Sequence, residues 1–443
     1  MRWSSESIDA RIRRELGGVA LTSFFVHSRA LPAYRFVDAY RAAEGWAGPA
    51  SLIDSESDED LNQIFHGRPR RWTSRRLKRA TLQPWPCAAG EEAHLPVDRF
   101  WLRGAAAAGG PVAVRVRYQP IQDKAVLEVA ATRSAAAETV LEEIVQRSVA
   151  GSIYRGRLLA LSFEPGTRDV YGDVEKPESL RLLFKPEESV EDEDVVIDDD
   201  VRTLLWRNVV DLHRRREILK RHGVPVRRGV LLYGPPGTGK TYACRYLCAR
   251  LAGTTRIVVT GTALQQVASI FSIARLYQPS LVILEDVDLV FAAREINLYS
   301  SVLGELLDQM DGLRPQEDIG FILTTNAIER MEAAVRDRPG RISQCIHFAA
   351  PSGELRRRYL ARYLRAYDGA KLDFDALVEA TAGATQAFLK EWVHRAVQIA
   401  CERLASDGDA LDLQTEDFAD ALAEMRHGGD AASSRIIGFG TSL

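Results

Sequence analysis

The chain has 443 residues, of which 46% are hydrophobic and 27% are charged, and its formal net charge is −3 at pH 7. These values are ordinary for a globular protein, and the length suggests roughly two to four domains. The small net charge excludes a bulk attraction to nucleic acid or to an anionic membrane. No apolar run approaches the ~18 residues that a membrane-spanning helix needs. The five cysteines include no C-x-x-C pair, which favours a reducing compartment, so we expect a cytoplasmic protein.

The first elements are predicted from apolar spacing. Ile8, Ile12 and Leu16 recur at helical intervals, which predicts a helix, and we expect a strand through Val26 after it. A cleaved signal peptide is disfavoured because acidic residues interrupt the basic stretch at the N-terminus.

The charge of the chain inverts between residues 54 and 79. Residues 54–60 are acidic, whereas residues 68–79 contain seven Lys and Arg side chains, with Trp72 and Trp85 nearby. A basic run with interleaved aromatics is compatible with nucleic-acid binding. A solvated basic face is the favoured interpretation, because no recognised nucleic-acid module accompanies the run.

Residues 1–186 as a whole predict a small α+β domain. Alternating apolar residues at 112–116 and 125–129 predict a β-hairpin. A helix is predicted over 135–149 and a strand over 153–163. The region contains no recognised catalytic constellation, so we expect it to select a protein partner or substrate.

A phosphate-binding motif dominates the second half of the chain. Residues 234–241 spell GPPGTGKT and fit the pattern G-x-x-x-x-G-K-[ST] at every fixed position. The apolar run 229–233 predicts a buried strand before the motif, and residues 242–251 predict a helix after it. In this context Lys240 reaches the β- and γ-phosphates of ATP, and the Thr241 hydroxyl ligates Mg²⁺. The predicted nucleotide-binding residues are Pro235, Pro236, Gly237, Thr238, Gly239, Lys240, Thr241 and Tyr242.

Two further strands are predicted to end in polar residues beside the phosphates. Residues 281–284 are apolar and precede Glu285 and Asp286, of which one should hold the Mg²⁺ shell and the other should orient or deprotonate the attacking water. Residues 320–325 form another apolar run, and Asn326 at its tip can hydrogen-bond this water or the γ-phosphate. Further on, Arg338 and Arg341 flank a Pro-Gly turn.

The order and spacing of GPPGTGKT, the acid-tipped strand, QMDGL, TTN and RPGR resemble the AAA family of ATPases. The resemblance covers roughly residues 195–427. It implies a parallel α/β sheet with a helical lid, a ring that is usually hexameric, and ATP with Mg²⁺ as cofactors. It also implies that Glu285 is a Mg²⁺ ligand, that Asp286 is the catalytic base, and that Asn326 is the first sensor. Arg338 and Arg341 match the arginine fingers that complete a neighbouring subunit's site.

This resemblance divides the chain into predicted domains. Residues 1–186 form the partner-selecting region and residues 187–194 an acidic linker. Residues 195–350 form the large ATPase domain, within which we expect a helix over 204–222. Residues 351–427 form the lid and residues 428–443 a tail.

Two features depart from the usual pattern of the family. The acids are in the order Glu285 then Asp286, whereas the family norm is Asp then Glu, so the base is one methylene shorter. The connection at 260–264 contains no aromatic residue of the kind with which AAA unfoldases grip polypeptide; residues 291–299 are an alternative gripping segment. Ala387 falls where many AAA+ proteins have a second sensor arginine, and the absence of that arginine is typical of the AAA subgroup.

Three functional hypotheses remain. The leading one is a ring-forming AAA ATPase that remodels or translocates a protein partner. The second is a nucleotide-gated scaffold or assembly factor with little turnover, suggested by the acid order and the short connection. The third and least favoured is an ATPase that acts on nucleic acid, suggested by the basic run at 68–79.

Overall fold

The computed structural model divides the chain into two compact units, Met1–Pro186 and Glu187–Leu443. The residues that the structure describes are 6–48, 50–67, 77–104, 109–168, 174–176, 178–288, 299–329, 342–367, 372–404 and 411–426. None of the helices in these ranges combines the length and the apolar character needed to cross a bilayer.

The first unit is built from short strands and helices. In chain order its elements are α1 (Ile8–Glu15), β1 (Phe25–Pro32), α2 (Phe36–Ala47), β2 (Ser51–Asp54), α3 (Leu61–His66), β3 (Leu82–Ala88), β4 (Glu91–Pro96), β5 (Asp98–Arg103), β6 (Val112–Gln119), β7 (Lys124–Ala131), α4 (Ser134–Ala150), β8 (Leu158–Glu164), β9 (Thr167–Arg168), β10 (Val174–Lys176) and β11 (Ser179–Phe184). Five of the strands form an antiparallel sheet in the order β1-β7-β6-β5-β2, and β3 pairs with β4, β8 with β11 and β9 with β10. The predicted α+β class is confirmed.

Helices cover both faces of the five-stranded sheet. Because successive strand residues point to opposite faces, Trp101 packs with α2 and α4, whereas its neighbours Phe100 and Leu102 pack with α1 and α3. The predicted hairpin is confirmed, since β6 and β7 pair antiparallel from Val112 opposite Ala131 onward. The predicted helix at 135–149 is confirmed as α4.

Two sequence predictions in this unit are wrong in position. The strand expected to run through Val26 begins only at Phe25, because Gly17 and Gly18 both have positive φ and a 3₁₀ turn at Leu21–Ser23 follows. The strand expected at 153–163 begins only at Leu158, since the preceding residues form turns that include Gly156 at φ 71°.

The basic run falls largely outside the described residues, which exclude 68–76 and with them Trp72. Trp85 is described, and it is only 9% exposed and stacks on Phe36 with the ring centroids 4.5 Å apart. This ring is therefore part of the core and has no free face on which a base could stack.

The second unit alternates parallel strands with helices. In chain order its elements are α5 (Asp199–Leu205), α6 (Asp211–Arg214), α7 (Arg216–Arg221), β12 (Arg228–Tyr233), α8 (Lys240–Arg250), β13 (Thr255–Val259), α9 (Val267–Leu276), β14 (Ser280–Leu284), α10 (Tyr299–Asp311), β15 (Ile319–Thr325), β16 (Gln344–His347), α11 (Gly353–Tyr363), α12 (Phe374–Ala380), α13 (Gln386–Glu402) and α14 (Thr415–Arg426). Within this unit the strands lie in the order β13-β14-β15-β12-β16 and all four pairings are parallel. The predicted parallel ATPase sheet is confirmed.

The helix expected over 204–222 is wrong as a single element. A π-helical turn, Trp206–Val210, interrupts it, and α6 and α7 are separated at Arg215, where φ is −101° and ψ is 10°. The side-chain amide of Asn208 donates to the carbonyl of Leu204 at 2.9 Å. Such side-chain competition for a backbone carbonyl is a recognised cause of helix irregularity.

Helices α11–α14 form the lid, which has its own apolar core. Trp392, the largest fully buried side chain of the lid, packs edge-on against Phe418 with the ring centroids 5.0 Å apart. Tyr359 belongs to this core, and Tyr363 and Tyr367 are partly buried against it.

Candidate nucleotide-binding site

The phosphate loop connects strand β12, which lies between β15 and β16, to helix α8. Its glycines allow a path that a side chain would block: Gly234 has φ 147°, and a Cβ there would collide with the carbonyl of Phe348 on the chain after β16. Gly239 has φ 99° and a Cβ there would collide with the side chain of Gln386. Gly239 is also the N-cap of α8 and provides no side-chain cap, so the first N–H groups of this helix are available to an anion.

Lys240 lies at the base of this loop and is only 5% exposed. Its ammonium group donates to the carbonyls of Gly234 and Pro235 at 2.7 and 2.9 Å. Burial lowers the pKa of Lys240, and the nearby carboxylates of Asp286 and Asp288 oppose that shift. A buried cation needs anionic or hydrogen-bonding partners, and phosphate oxygens would satisfy this requirement.

The ends of β14 and β15 are locked together next to the loop. The N–H of Asp286 donates to the hydroxyl of Thr324 at 2.9 Å, and the N–H of Asn326 donates to the carboxylate of Asp288 at 3.0 Å. The Asn326 amide donates to the Asp286 carboxylate at 3.4 Å. These bonds hold Asp286 at φ 51°, a left-handed conformation that few residues adopt without cost.

The parallel sheet explains why these groups meet. Strand β15 lies between β14 and β12, so the carboxyl ends of the three strands are adjacent. This is the edge at which ligands bind in open α/β sheets. Glu285 follows β14 directly, and its N–H donates to the carbonyl of Val259 at the end of β13.

A cleft of about 560 Å³ opens at this edge, which is within the usual size range of small-molecule sites. Its described lining consists of Pro236, Gly237, Gly239, Lys240, Thr241, Tyr242, Arg245, Asp286, Asn326, Tyr363, Gln386, Ala387 and Lys390. The structure therefore brings together eight of the residues proposed from sequence. Three predicted residues are next to lining residues in the chain but are not among the described lining residues: Pro235, Thr238 and Glu285. The two predicted arginine fingers, Arg338 and Arg341, lie outside the described ranges.

The lid contributes Ala387, whose position the family resemblance marks, and three further groups that no sequence pattern indicated. The N–H of Ala387, in the first turn of α13, donates to the carbonyl of Gly237 at 3.1 Å. Gln386, Lys390 and Tyr363 complete the lid side of the cleft. Asp288 was also missed as a functional residue, although its position two residues after Asp286 at the strand tip was a usable signal.

The segment that precedes the ATPase core is held between the loop helix and the lid. The Tyr359 hydroxyl donates to the carbonyl of Val196, and Arg362 forms a 3.1 Å ion pair with Asp194. The Tyr242 hydroxyl donates to the Asp194 carbonyl at 3.3 Å. Asp194 is the last residue of the predicted linker 187–194, and in the structure this end of the linker packs against α8 and the lid.

Comparison with known proteins agrees with this geometry. Residues 230–350 match the family model described as "ATPase family associated with various cellular activities (AAA)". The chain is 29% identical over 247 residues to a 26S proteasome regulatory subunit 8 homolog of Schizosaccharomyces pombe, covering 52% of the chain and 60% of that protein. It is 31% identical over 231 residues to a proteasome-activating nucleotidase of Methanosarcina mazei, covering 48% and 53%. It is 29% identical over 247 residues to a cell division cycle protein 48 homolog of Archaeoglobus fulgidus, covering 50% and 33%.

These matches confirm the predicted resemblance: the chain contains a domain of the AAA family of ATPases, with the nucleotide binding that this family implies. The chain spans about half the length of the proteasomal relatives, 60% and 53%, and a third of the third relative. The residues matched by the family model, 230–350, lie within the second unit.

Proposed function

We propose that this protein is a ring-forming AAA ATPase that couples ATP hydrolysis to the remodelling or translocation of a protein partner. One observation supports the hydrolytic part above all others. Asp286 and Asn326, hydrogen-bonded to each other, line the same cleft as Lys240 and the phosphate loop. A carboxylate and an amide at this place can position a water molecule for attack on the γ-phosphate.

The described residues fit ATP and Mg²⁺. The glycine path and the uncapped start of α8 suit phosphate groups. Lys240 offsets the charge of the β- and γ-phosphates, while Asp286 accepts a hydrogen bond from the attacking water and Asn326 fixes that carboxylate. The Thr241 hydroxyl and the Glu285 carboxylate would hold Mg²⁺, which supplies charge neutralisation at the phosphates.

Ring formation follows from the arginines implied by the resemblance. Arg338 and Arg341 would complete the site of a neighbouring subunit, as arginine fingers do. Such a finger is worth about 10³–10⁵ in turnover rate, so an isolated subunit would be nearly inactive. The relatives include proteins named as proteasome regulatory subunits and a proteasome-activating nucleotidase, which supports a protein partner.

The connection between β13 and α9 does not provide the aromatic pore residue with which AAA unfoldases thread a polypeptide. The residues between β13 and α9, 260–266, are all described and include no aromatic side chain. We propose that the first unit selects the partner and that the ring moves it as a folded body or switches its conformation. The alternative segment for gripping, 291–299, lies outside the described residues except for Tyr299.

A nucleotide-gated scaffold is the second candidate. This candidate is favoured by Asp286, whose side chain is one methylene shorter than the glutamate that is the family norm. Because its backbone is fixed in a left-handed conformation, the carboxylate has little freedom to approach a water molecule. In this alternative the ring would bind ATP and hydrolyse it slowly.

Lys240→Ala and Asp286→Asn separate these possibilities. We expect Lys240→Ala to abolish ATP binding and turnover, and Asp286→Asn to retain ATP binding while turnover falls at least 100-fold, in line with the usual worth of a general base, about 10²–10⁴. Lys124→Ala, an exposed lysine of the first unit, is the control. Unchanged nucleotide affinity in Lys240→Ala would refute nucleotide binding at this site. Tight binding with negligible turnover of the wild type, with and without candidate partners, would favour the scaffold.

A further inference from the structure

The first unit contains its own cleft of about 600 Å³, the first-unit cleft, whose described lining is residues 56–58, 81, 83, 97–98 and 117–122. The N–H of Val97 donates to the carbonyl of Thr81 at 3.0 Å, and the N–H of Tyr118 donates to the carbonyl of Val97 at 2.7 Å. These bonds hold together stretches that are distant in the chain. The volume is within the usual range of ligand-binding sites, and none of the residues proposed for nucleotide binding lines this cleft.

Buried charges hold one part of this lining in place. The N–H of Ser57 donates to the carboxylate of Asp98 at 3.1 Å, and the carbonyl of Ser57 accepts from Arg115, also at 3.1 Å. Asp98 is 3% exposed and Arg115 is 0% exposed. Because both polar backbone atoms of Ser57 are bonded to buried groups, the backbone on either side of it, which carries Glu56 and Asp58, has a defined position at the cleft.

The charges at the first-unit cleft do not balance. Two of its four charged lining residues, Asp98 and Arg117, are paired with buried residues of neighbouring strands, at 2.7 and 3.3 Å. The other two, Glu56 and Asp58, form no ion pair within the part of the chain that the structure describes. The carboxylate of Glu56 accepts the backbone N–H of Thr81, and Asp58 has no hydrogen-bond partner among the described residues. Since unpaired carboxylates repel each other, a cationic ligand is favoured between them.

Three glutamine side chains give the cleft hydrogen-bonding groups that suit a polypeptide. None of these amides has a hydrogen-bond partner within the described ranges: Gln83, Gln119 and Gln122. A primary amide has both donors and an acceptor. An extended backbone offers complementary N–H and C=O groups along its length, whereas a metal ion or a protonated polyamine offers no acceptor. A polypeptide is therefore the occupant that uses both ends of each amide.

The turn between β6 and β7 places an exposed apolar side chain at the same cleft. Ile121 is 77% exposed, the highest value among the large hydrophobic side chains that the structure describes. The turn has a defined conformation, because the Tyr118 hydroxyl donates to the carboxylate of Asp123 at 2.7 Å and the N–H of Asp123 donates to the carbonyl of Pro120 at 3.3 Å. A ligand that covers Ile121 removes apolar surface from water, which is favourable.

We propose that the first-unit cleft binds an extended basic segment of the protein partner. An arginine or lysine of that segment lies between Glu56 and Asp58, the glutamine amides bond to its backbone, and an apolar side chain covers Ile121. This inference deepens the proposed function, on which it rests for a protein as the partner. It adds the site in the first unit that selects the partner, and it adds that the selection depends on charge, which favours basic segments and repels acidic ones.

The test measures peptide binding to the full chain by fluorescence anisotropy at two salt concentrations. The probe is a labelled peptide in which two arginines and one leucine are separated by glycines, and its twin has the neutral analogue citrulline in place of arginine. We expect Glu56→Gln/Asp58→Asn to bind the arginine peptide about 5- to 30-fold more weakly than the wild type, with a smaller dependence on salt, because two charge-assisted contacts are lost. The citrulline peptide should bind both proteins equally weakly.

Two further variants localise the effect. Glu91→Gln/Glu92→Gln removes the same charge from exposed residues of the first unit that do not line the cleft, and it should behave like the wild type. Ile121→Ala should weaken binding of both peptides about 2- to 10-fold, because the leucine loses an apolar contact. In the double variant at the cleft, Glu56→Gln keeps a side-chain oxygen that can accept the N–H of Thr81, so this contact within the fold is retained.

Equal affinity of the arginine peptide for the wild type and for Glu56→Gln/Asp58→Asn would overturn the proposal. So would an equal loss in Glu91→Gln/Glu92→Gln, since binding would then follow the overall charge of the protein. A wild type that does not distinguish the arginine peptide from the citrulline peptide would also overturn it. ATP turnover is measured on the same samples, and a wild type that hydrolyses ATP while giving any of these results overturns the peptide site alone. A wild type that neither binds nor hydrolyses ATP would overturn the proposed function, whatever the peptides do.

Discussion

The side-chain amide of Asn326 donates a hydrogen bond to the carboxylate of Asp286, with 3.4 Å between the atoms. The bond joins the ends of two neighbouring parallel strands beside the phosphate loop. Asp286 is also held through its own N–H by Thr324, and its φ of 51° is left-handed. Asp and Asn adopt this conformation more readily than longer or branched residues. Aspartate is therefore at a conformational advantage at position 286.

The conformation of Asp286 predicts a stability series. Asp286→Asn should change the free energy of unfolding little, because asparagine tolerates positive φ, whereas Asp286→Val should lose about 1–2 kcal/mol. Chemical denaturation of the two variants measures the difference. Asp308→Val, in the last turns of α10, is a control at ordinary helical φ. Equal stability of the asparagine and valine variants would contradict the assigned backbone strain.

The amide of Asn326 is expected to act through Asp286. Asn326→Ala should lower the maximal turnover rate about 10- to 100-fold with a smaller change in the Michaelis constant, because the carboxylate loses its orienting bond. Asn326→Asp places a second carboxylate beside the first and should be at least as slow. Steady-state kinetics of both variants provide the measurement. A variant whose Michaelis constant rises while its turnover rate stays normal would assign Asn326 to binding instead.

The hydroxyl of Tyr359 links the lid to the segment that precedes the core. Tyr359→Phe removes the donor to the Val196 carbonyl in a buried place and should cost about 1–3 kcal/mol in the free energy of unfolding. Tyr367→Phe, on a tyrosine that is only partly buried against the lid core, should have little effect. Denaturation midpoints of the two variants test this. Equal midpoints would show that the hydrogen bond contributes nothing measurable.

The first unit contains a buried cluster of charged side chains. We expect its free energy of unfolding to be strongly sensitive to substitutions in this cluster. Arg115 is 0% exposed and pairs with Asp98 at 2.7 Å and with Glu128 at 3.2 Å. Arg115→Leu leaves the buried carboxylate of Asp98 without its ion-pair partner and leaves Glu128 paired with Arg117 alone, at 3.3 Å, so it should cost about 3–5 kcal/mol. Arg29→Leu, which breaks an exposed ion pair with Glu142, should cost less than about 1 kcal/mol.

The two arginine variants are compared by limited proteolysis of the first unit and by their denaturant midpoints. Comparable losses in both would mean that burial of the cluster does not matter to its energetics. Partial recovery in Arg115→Leu/Asp98→Asn would support the uncompensated charge as the cause, because one of the two buried carboxylates is then neutral.

The sequence predicted the phosphate loop and the strands around it because each depends on local patterns. An apolar run followed by glycines and a helical pattern indicates one strand-loop-helix unit. Asp286 and Asn326 follow the ends of two similar apolar runs. Parallel packing then brings Asp286 and Asn326 to one edge, as expected from fold-level rules.

The remaining features depend on contacts between residues far apart in the chain. Gln386 and Lys390 reach the cleft because α13 starts against the phosphate loop, and no local pattern marks them. The π-helical turn after α5 depends on how the Asn208 side chain is placed rather than on apolar spacing, which is compatible with one long helix. The left-handed φ of Asp286 depends on Thr324, a residue of the neighbouring strand.

We expect ATP to be hydrolysed at a site shared between subunits of a ring. The most direct measurement is the ATPase rate per subunit as a function of protein concentration, for the wild type and for Arg341→Ala, with the assembly state recorded in parallel by mass photometry. We expect a rate per subunit that rises with concentration as rings form, and a collapse of that rate in Arg341→Ala rings that still bind ATP. A rate per subunit that is independent of concentration, or that survives in Arg341→Ala, would contradict it.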